Sequence, residues 1–262
     1  MPDDEFDPAR LVTKDVARKL SEEGWVFVPG ERIALAGEAS AFQAESHSTW
    51  EGLPADPYTS AGTGRYRRYS RWVWEGTSRA SGLGGTLLAA RHLPYHQAPE
   101  INPLVGGVHR TFPPLPESVR DSALLRTLLR FDLAAAGAGP GRWEVDVHMV
   151  RIVPGPGGLG QPAPEGVHKD GLDVVAIHLV ELRGLEGGVS SVFDDFGQER
   201  GRVRLESCLD SLLVDDRRLT HFTTPVVRSA RGADGSPVQA WRDVLLVGLR
   251  RSENGERPAR RS

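Results

Sequence analysis

Hydrophobic positions change their period along this chain. Between residues 7 and 23, Val12, Val16 and Leu20 recur every four positions, which predicts an amphipathic helix. Asp7 and Pro8 suit its start, and Gly24 suits its end. Trp25 to Val28 reads as a short strand stopped by Pro29-Gly30. Residues 31–44 read as a second helix with Ile33, Leu35 and Phe42 inward. Over 116–136, Leu124, Leu125, Leu128, Leu129 and Leu133 form one stripe, the signature of the main helix. After Gly137 to Gly141 the pattern turns to strands. Trp143 to Val153 alternates, with Val145, Val147 and Met149 on one face and with His148 and Arg151 on opposite faces. Leu172 to Arg183 is apolar on both faces, as in a strand covered on each side. It encloses His178, which reads as a core histidine or a support for a ligand rather than a ligand. Val189 to Phe193, Arg218 to Val227 and Val238 to Leu249 read as further strands, while 203–214 suits a strand or a short helix.

Helices first, then many strands with frequent turns, predict a mainly β chain with flanking helices, a sandwich or jelly roll. One domain is expected over 1–250: a helical or mixed part to residue 142 and a metal-binding jelly-roll part over 143–250, with a disordered charged tail at 251–262. Tyr66 to Trp74 mixes aromatics with arginines. It reads first as an amphipathic strand with solvated arginines. It also reads as a segment facing a substrate, where Arg can clamp a carboxylate and Trp72 or Trp74 can wall a pocket. Gly155 to Gly160 is glycine-rich but no helix follows, so it is not read as a phosphate cradle.

Composition narrows the function. Lys and Arg number 32 against 35 Asp and Glu, a net charge of -3, so there is no basic footprint for nucleic acid. No apolar run approaches a membrane span, and the acidic start lacks a signal-peptide core, so a cytoplasmic protein is expected. The 30 glycines and 19 prolines fit a turn-rich β chain. The one cysteine, Cys208, excludes an intrachain disulfide and reads as a small buried apolar residue, not a nucleophile.

The chemistry centres on Glu165 to Gly171. On a strand, His168 and Asp170 would point the same way. With His221 brought from a later strand they would make a 2-His-1-carboxylate set, which holds non-haem Fe(II) and leaves positions open. The same set would serve zinc-assisted hydrolysis, with water in the open position.

Five segments, in order and at matching separations, resemble the bacterial 2-oxoglutarate/Fe(II)-dependent dioxygenases that hydroxylate free amino acids, such as the isoleucine dioxygenases. They are His148 to Arg151, Pro164 to Gly171, Gly187 to Ser190, Asp216 to Pro225 and Trp241 to Leu245. The resemblance covers roughly residues 143–250 and implies a double-stranded β-helix, a cupin-like jelly roll with iron at one open end. It implies His168, Asp170 and His221 as iron ligands and Arg242 as the partner of the distal carboxylate of 2-oxoglutarate. A single Arg in an apolar strand needs such a partner. Arg231 and Arg228, in a more polar hairpin, are weaker alternatives. The implied reaction consumes O2 and 2-oxoglutarate, releases succinate and carbon dioxide, and hydroxylates an unactivated C–H of a small molecule. Asp170 favours hydroxylation over halogenation, because the related halogenases lack that carboxylate. Met149 stands where the family often has Gln. A free amino acid would need partners of both charges, for which Glu165, Arg151 and Arg68 are the candidates. The competing readings are a metal-binding jelly roll with hydrolase, isomerase or other cupin-like activity, and a non-catalytic binding module.

Overall fold

The structure, a computed structural model, describes residues 14–33, 49–59, 64–78, 83–155, 157–229 and 239–252. Among these, the strands are β1 Trp25–Val28, β2 Arg65–Gly76, β3 Gly85–Ala89, β4 Gly141–Ile152, β5 Leu159–Gly160, β6 Val174–Arg183 and β7 Leu185–Gly187. They continue with β8 Val189–Phe193, β9 Glu199–Arg204, β10 Ser211–Asp215, β11 Thr220–Thr223, β12 Val226–Arg228 and β13 Trp241–Arg251. The helices are α1 Lys14–Glu23, the short α2 Glu117–Arg120 and α3 Ala123–Ala135.

A seven-stranded sheet in the order β1-β10-β6-β13-β4-β2-β3 is antiparallel at every pairing. Two three-stranded sheets, β11-β8-β9 and β5-β12-β7, complete the jelly roll. The mainly β architecture with flanking helices is therefore the one expected. The sheet does not stop at residue 142, however: β1, β2 and β3 come from the N-terminal part and extend it on both sides.

The large sheet buries both faces. On one, Val145, Val147 and Met149 pack with Trp72, Trp74, Ala176 and Leu245 against the leucine stripe of α3. On the other, Val150, Ile152, Val175, Ile177 and Val244 meet Leu185, Val192 and Val226 of the small sheets. The two-fold alternation of a strand is what divides one β4 between two cores. Ser122 caps α3, its Oγ accepting from the Leu125 N–H at 3.1 Å. A buried polar contact pins that helix to the sheet: His178 lies 3.0 Å from Asp132 Oδ2 through Nε2 and 2.7 Å from Ser211 Oγ through Nδ1. His178 is thus a core residue on the helix side, as the sequence suggested.

Several boundaries differ from expectation. The first helix begins at Lys14 among the described residues, and 7–13 lie outside them. The expected helix over 31–44 holds one 3-10 turn at Gly30–Arg32, and residues 34–48 lie outside the described set. The 116–136 helix breaks at Ser122 into α2 and α3. Residues 203–214 resolve into the end of β9, a turn and β10. Arg218 to Val227 divides at Thr224-Pro225 into β11 and β12, because Pro cannot donate to a ladder. The tail from residue 253 lies outside the described residues. No helix among the described residues is long and apolar enough to cross a membrane.

Candidate active site

Between the large sheet and the small ones lies a cavity with about 820 Å³ of empty space, part of it open to solvent. Its floor is aliphatic: Val150, Ile152, Val175, Ile177, Val244 and Leu246. Its walls carry the chemistry, and one end holds His168, Asp170 and His221.

The His-x-Asp motif is not within a named strand. It runs extended beside β11 and pairs with it through one bridge, where the His168 N–H donates to the His221 carbonyl at 3.0 Å and the reverse bond spans 2.9 Å. That single rung suffices to bring the two imidazoles to 4.4 Å between ring centroids. One ligand atom from each of the two histidines and from Asp170 lies within 4.8 Å of the others. His221 Nε2 is 3.6 Å from Asp170 Oδ2, and His168 Nε2 is 4.0 Å from Asp170 Oδ1.

The surroundings orient these groups. Gly166, at φ +81°, turns its carbonyl to accept from His168 Nδ1 at 2.8 Å, which leaves the Nε2 lone pair free. Burial, reinforced by neighbouring His168, pulls the His221 pKa down to about 4, so its ring is neutral. Asp216 is buried behind the motif and accepts from the N–H groups of Asp170 (2.9 Å) and Leu172 (2.8 Å). Burial and the Asp170 charge push its pKa up to about 6. Gln97 donates its amide to Asp170 Oδ1 at 3.1 Å and in turn accepts from Asn102 and Arg110. Two imidazoles and a carboxylate whose ligand atoms converge suit a divalent transition metal with open positions.

Four arginines line the same cavity: Arg65, Arg67, Arg110 and Arg242. Arg242, on β13 among aliphatic residues, is 3% exposed and its Nη2 has no hydrogen-bond partner. Burial lowers its pKa to about 10, so it remains a cation at neutral pH. Gly188, at φ +69°, passes close beside it; a Cβ there would sit 3.6 Å from Arg242 Cδ.

A profile of the 2OG-Fe dioxygenase family matches residues 47–248. The chain belongs to that family. It is a 2-oxoglutarate-dependent non-haem iron dioxygenase, an oxidoreductase that uses Fe(II), 2-oxoglutarate and O2. Over 254 residues the chain is 29% identical to a 3(1)-hydroxy-L-isoleucine 4-dioxygenase of Pantoea ananatis (strain AJ13355), which covers 91% of this chain and 96% of that one. A solved bsmA homolog from Methylobium petroleophilum PM1 is 30% identical, with TM-score 0.74, over 94% of this chain and 95% of that one. IDO from Bacillus thuringiensis shares the fold, with TM-score 0.68 and 18% identity over 92% and 99% of the two chains. Membership turns the dioxygenase family's hydroxylation of a small molecule from expectation to finding, against the hydrolase and binding-module readings.

Other expected positions fall away from the cavity. Arg151 lies on the opposite face of β4, bonded twice to Asp243 at 2.7 Å and stacked over Trp241, so it cannot reach a substrate. Arg68 lies on the helix face of β2 and donates to the Pro114 carbonyl at 3.0 Å. Trp72 and Trp74 share that face and belong to the helix-side core. Arg228 is exposed on β12, outside the cavity lining, and Arg231 lies outside the described residues. Of the substrate candidates only Glu165 lines the cavity, with Oε1 3.4 Å from His168 Nε2. Cys208 is partly buried, and burial pushes its thiol up to about 11, which removes it as a nucleophile.

The arginines on β2 correct the expectation of solvated side chains. Arg65 and Arg67 are buried on the face opposite Arg68. Arg67 donates through Nε and Nη2 to His148 Nδ1 at 3.1 and 2.9 Å. The alternation of Tyr66 to Trp74 showed two faces without showing which faced the cavity. Tyr95, Gln97 and Arg110, on the loop from β3 to α2, carried no periodic signal and were missed.

Proposed function

We propose that His168, Asp170 and His221 hold the Fe(II), that Arg242 pairs with the distal carboxylate of 2-oxoglutarate, and that the substrate is a free amino acid or a close derivative. The observation that carries this reading is Arg242: a buried cation with an unpaired Nη2, in the same cavity as three convergent metal-ligand side chains. A buried guanidinium without an acceptor is costly, and a carboxylate is its natural partner. A metal hydrolase or isomerase using the same triad has no need of it.

Each residue then has a task. The Gly166 carbonyl takes up Nδ1 of His168 and leaves its Nε2 for the metal, while the lowered pKa of His221 lets that ring donate a lone pair without first losing a proton. Asp170 supplies the carboxylate of the set, with Gln97 bonded to that carboxylate and Asp216 holding the Asp170 backbone N–H. The aliphatic floor gives the carbon chain of 2-oxoglutarate a dry surface and keeps bulk water from the reacting carbon. When bound, the iron supplies the oxygen chemistry that couples decarboxylation of the co-substrate to oxidation of the substrate. The relative named for 3(1)-hydroxy-L-isoleucine supports a free amino acid, and the cavity offers both a carboxylate (Glu165) and cations to such a zwitterion.

Anaerobic titration of the protein with Fe(II) and 2-oxoglutarate tests the cofactor part. A weak visible charge-transfer band is expected in the wild type and is expected to vanish in Asp170→Ala and His168→Ala. A band that survives both substitutions overturns the triad. Succinate release across a panel of amino acids, above the substrate-free background, tests the substrate class.

A further inference from the structure

The four cavity arginines are not equivalent. Arg65 donates to the Pro162 carbonyl at 2.6 Å and stands 3.5 Å from Asp56. Arg67 is bound to His148 Nδ1 and stands 3.9 Å from the same aspartate. These two have partners inside the protein. Arg242 and Arg110 each keep a buried guanidinium nitrogen without one: Nη2 of Arg242 and Nε of Arg110. Arg110 is 5% exposed, and that nitrogen itself is buried. An orphaned, buried, charged donor in a cavity marks the place of an absent acceptor. The reaction brings two carboxylate-bearing molecules to this cavity, and the structure holds two such donors.

We infer that Arg110 is the anchor for the α-carboxylate of the substrate; this rests on the amino-acid reading above. The loop that carries it is built to hold it still. Tyr95 and Arg110 exchange two backbone hydrogen bonds of 2.8 Å, and the guanidinium lies 4.8 Å over the Tyr95 ring. Arg110 Nη2 donates to Gln97 Oε1, and the amide of Gln97 donates to Asp170 Oδ1. One side chain therefore ties the anchor to a metal-ligand carboxylate. A substrate held by Arg110 is positioned relative to the reacting centre through two hydrogen bonds rather than through the whole barrel, and such positioning is what a C–H oxidation at one defined carbon requires. Glu165 faces the same cavity, and its charge is felt at both Arg110 and His221. A carboxylate so placed supplies the acceptor for the ammonium of the same molecule.

The test uses the full-length chain. Wild type, Arg110→Gln, Arg110→Lys and Arg242→Gln are loaded anaerobically with Fe(II) and 2-oxoglutarate, and the charge-transfer band reports whether the co-substrate site is intact. Succinate release is then measured with L-valine, L-leucine, L-isoleucine and 3(1)-hydroxy-L-isoleucine, each beside its carboxamide. The wild type is expected to prefer the acid over the amide. Arg110→Gln is expected to raise KM for the acid roughly 10- to 100-fold, erase that preference and leave KM for 2-oxoglutarate unchanged. Arg110→Lys restores part of the preference. Arg242→Gln raises KM for 2-oxoglutarate instead. An unchanged acid preference in Arg110→Gln, or an equal loss for acid and amide, overturns the anchor while leaving the amino-acid reading standing. A normal band with no response to any of the four amino acids overturns the amino-acid reading and the anchor with it. If Arg110→Gln gives no band, Arg110→Lys decides: an acid preference equal to wild type in both size and KM overturns the anchor.

Discussion

Gln97 has the most to do among the residues outside the proposed ligand set. It spans Asp170 on one side and Arg110 and Asn102 on the other. Partners of this kind usually change metal affinity about 10- to 100-fold when lost. Gln97→Leu is therefore expected to weaken Fe(II) binding by that factor, measured by competition with a chelator under nitrogen; unchanged affinity would leave Gln97 a structural link only. His148 gives a second expectation. Burial, with the charges of Arg67, Arg110 and Arg65, holds its pKa well below the ordinary histidine value, and it is stacked on Tyr69 at 4.5 Å. The folded protein refuses a proton there that the unfolded chain accepts once pH drops below about 6.5. Stability from this group is thus constant above about pH 6.5 and falls by up to about 1.4 kcal/mol per pH unit below it. Denaturant titrations between pH 7 and 5 are expected to show a shallower slope in His148→Gln than in wild type.

At the level of elements, the large sheet acts as a partition. Its helix face is a core and its other face is a cavity wall, and the same strands serve both. His178 shows what holds the helix layer on. It is fully buried between Asp132 of α3 and Ser211 of β10. Replacing it with Phe keeps much of the volume but leaves Asp132 Oδ2 buried without its partner, at about 1–3 kcal/mol, while Ser211 Oγ keeps its bond to the Leu209 carbonyl. The denaturant midpoint is expected to fall with the slope unchanged, and the iron and 2-oxoglutarate spectrum of the folded variant is expected to match wild type, since His178 faces away from the cavity. A lost spectrum would mean that the two faces are coupled through the sheet. The small sheets do different work. β11 needs one bridge to the extended His168 segment to bring His168 and His221 together.

For the whole molecule, the site joins residues far apart in the chain, so ligand binding stabilises the assembly of its parts. Fe(II) at one hundred times its Kd is expected to add about 2.7 kcal/mol. For a chain of this size that is a rise in Tm of roughly 5–10 °C. Anaerobic thermal unfolding with and without a chelator measures it, and Asp170→Ala is expected to show no metal-dependent rise. A rise of equal size in that variant would place the stabilising metal elsewhere.

The sequence by itself determined what local rules can reach. The helical stripe of α3, the alternation of β2 and β4, and the two-faced apolar run of β6 followed from residue period, because burial of one face imposes it. His168 and Asp170 stood out as one short motif and Arg242 as one isolated charge in an apolar strand, the resemblance of five segments joined them with His221, and the structure brings all four to one cavity. Only the tertiary structure decided which arginines face the cavity. Arg67 and Arg68 are adjacent and identical in type, yet one lines the cavity and the other faces the helices. That choice depends on which face of β2 turns inward, which β4 and its neighbours determine. Arg151 carried the right charge on the wrong face, for the same reason. Gln97 and Arg110 sit on a loop with no period, so nothing near them in the chain announced a role. Their positions come from contacts with Tyr95 and Asp170, and the Asp170 contact exists only once the barrel has closed.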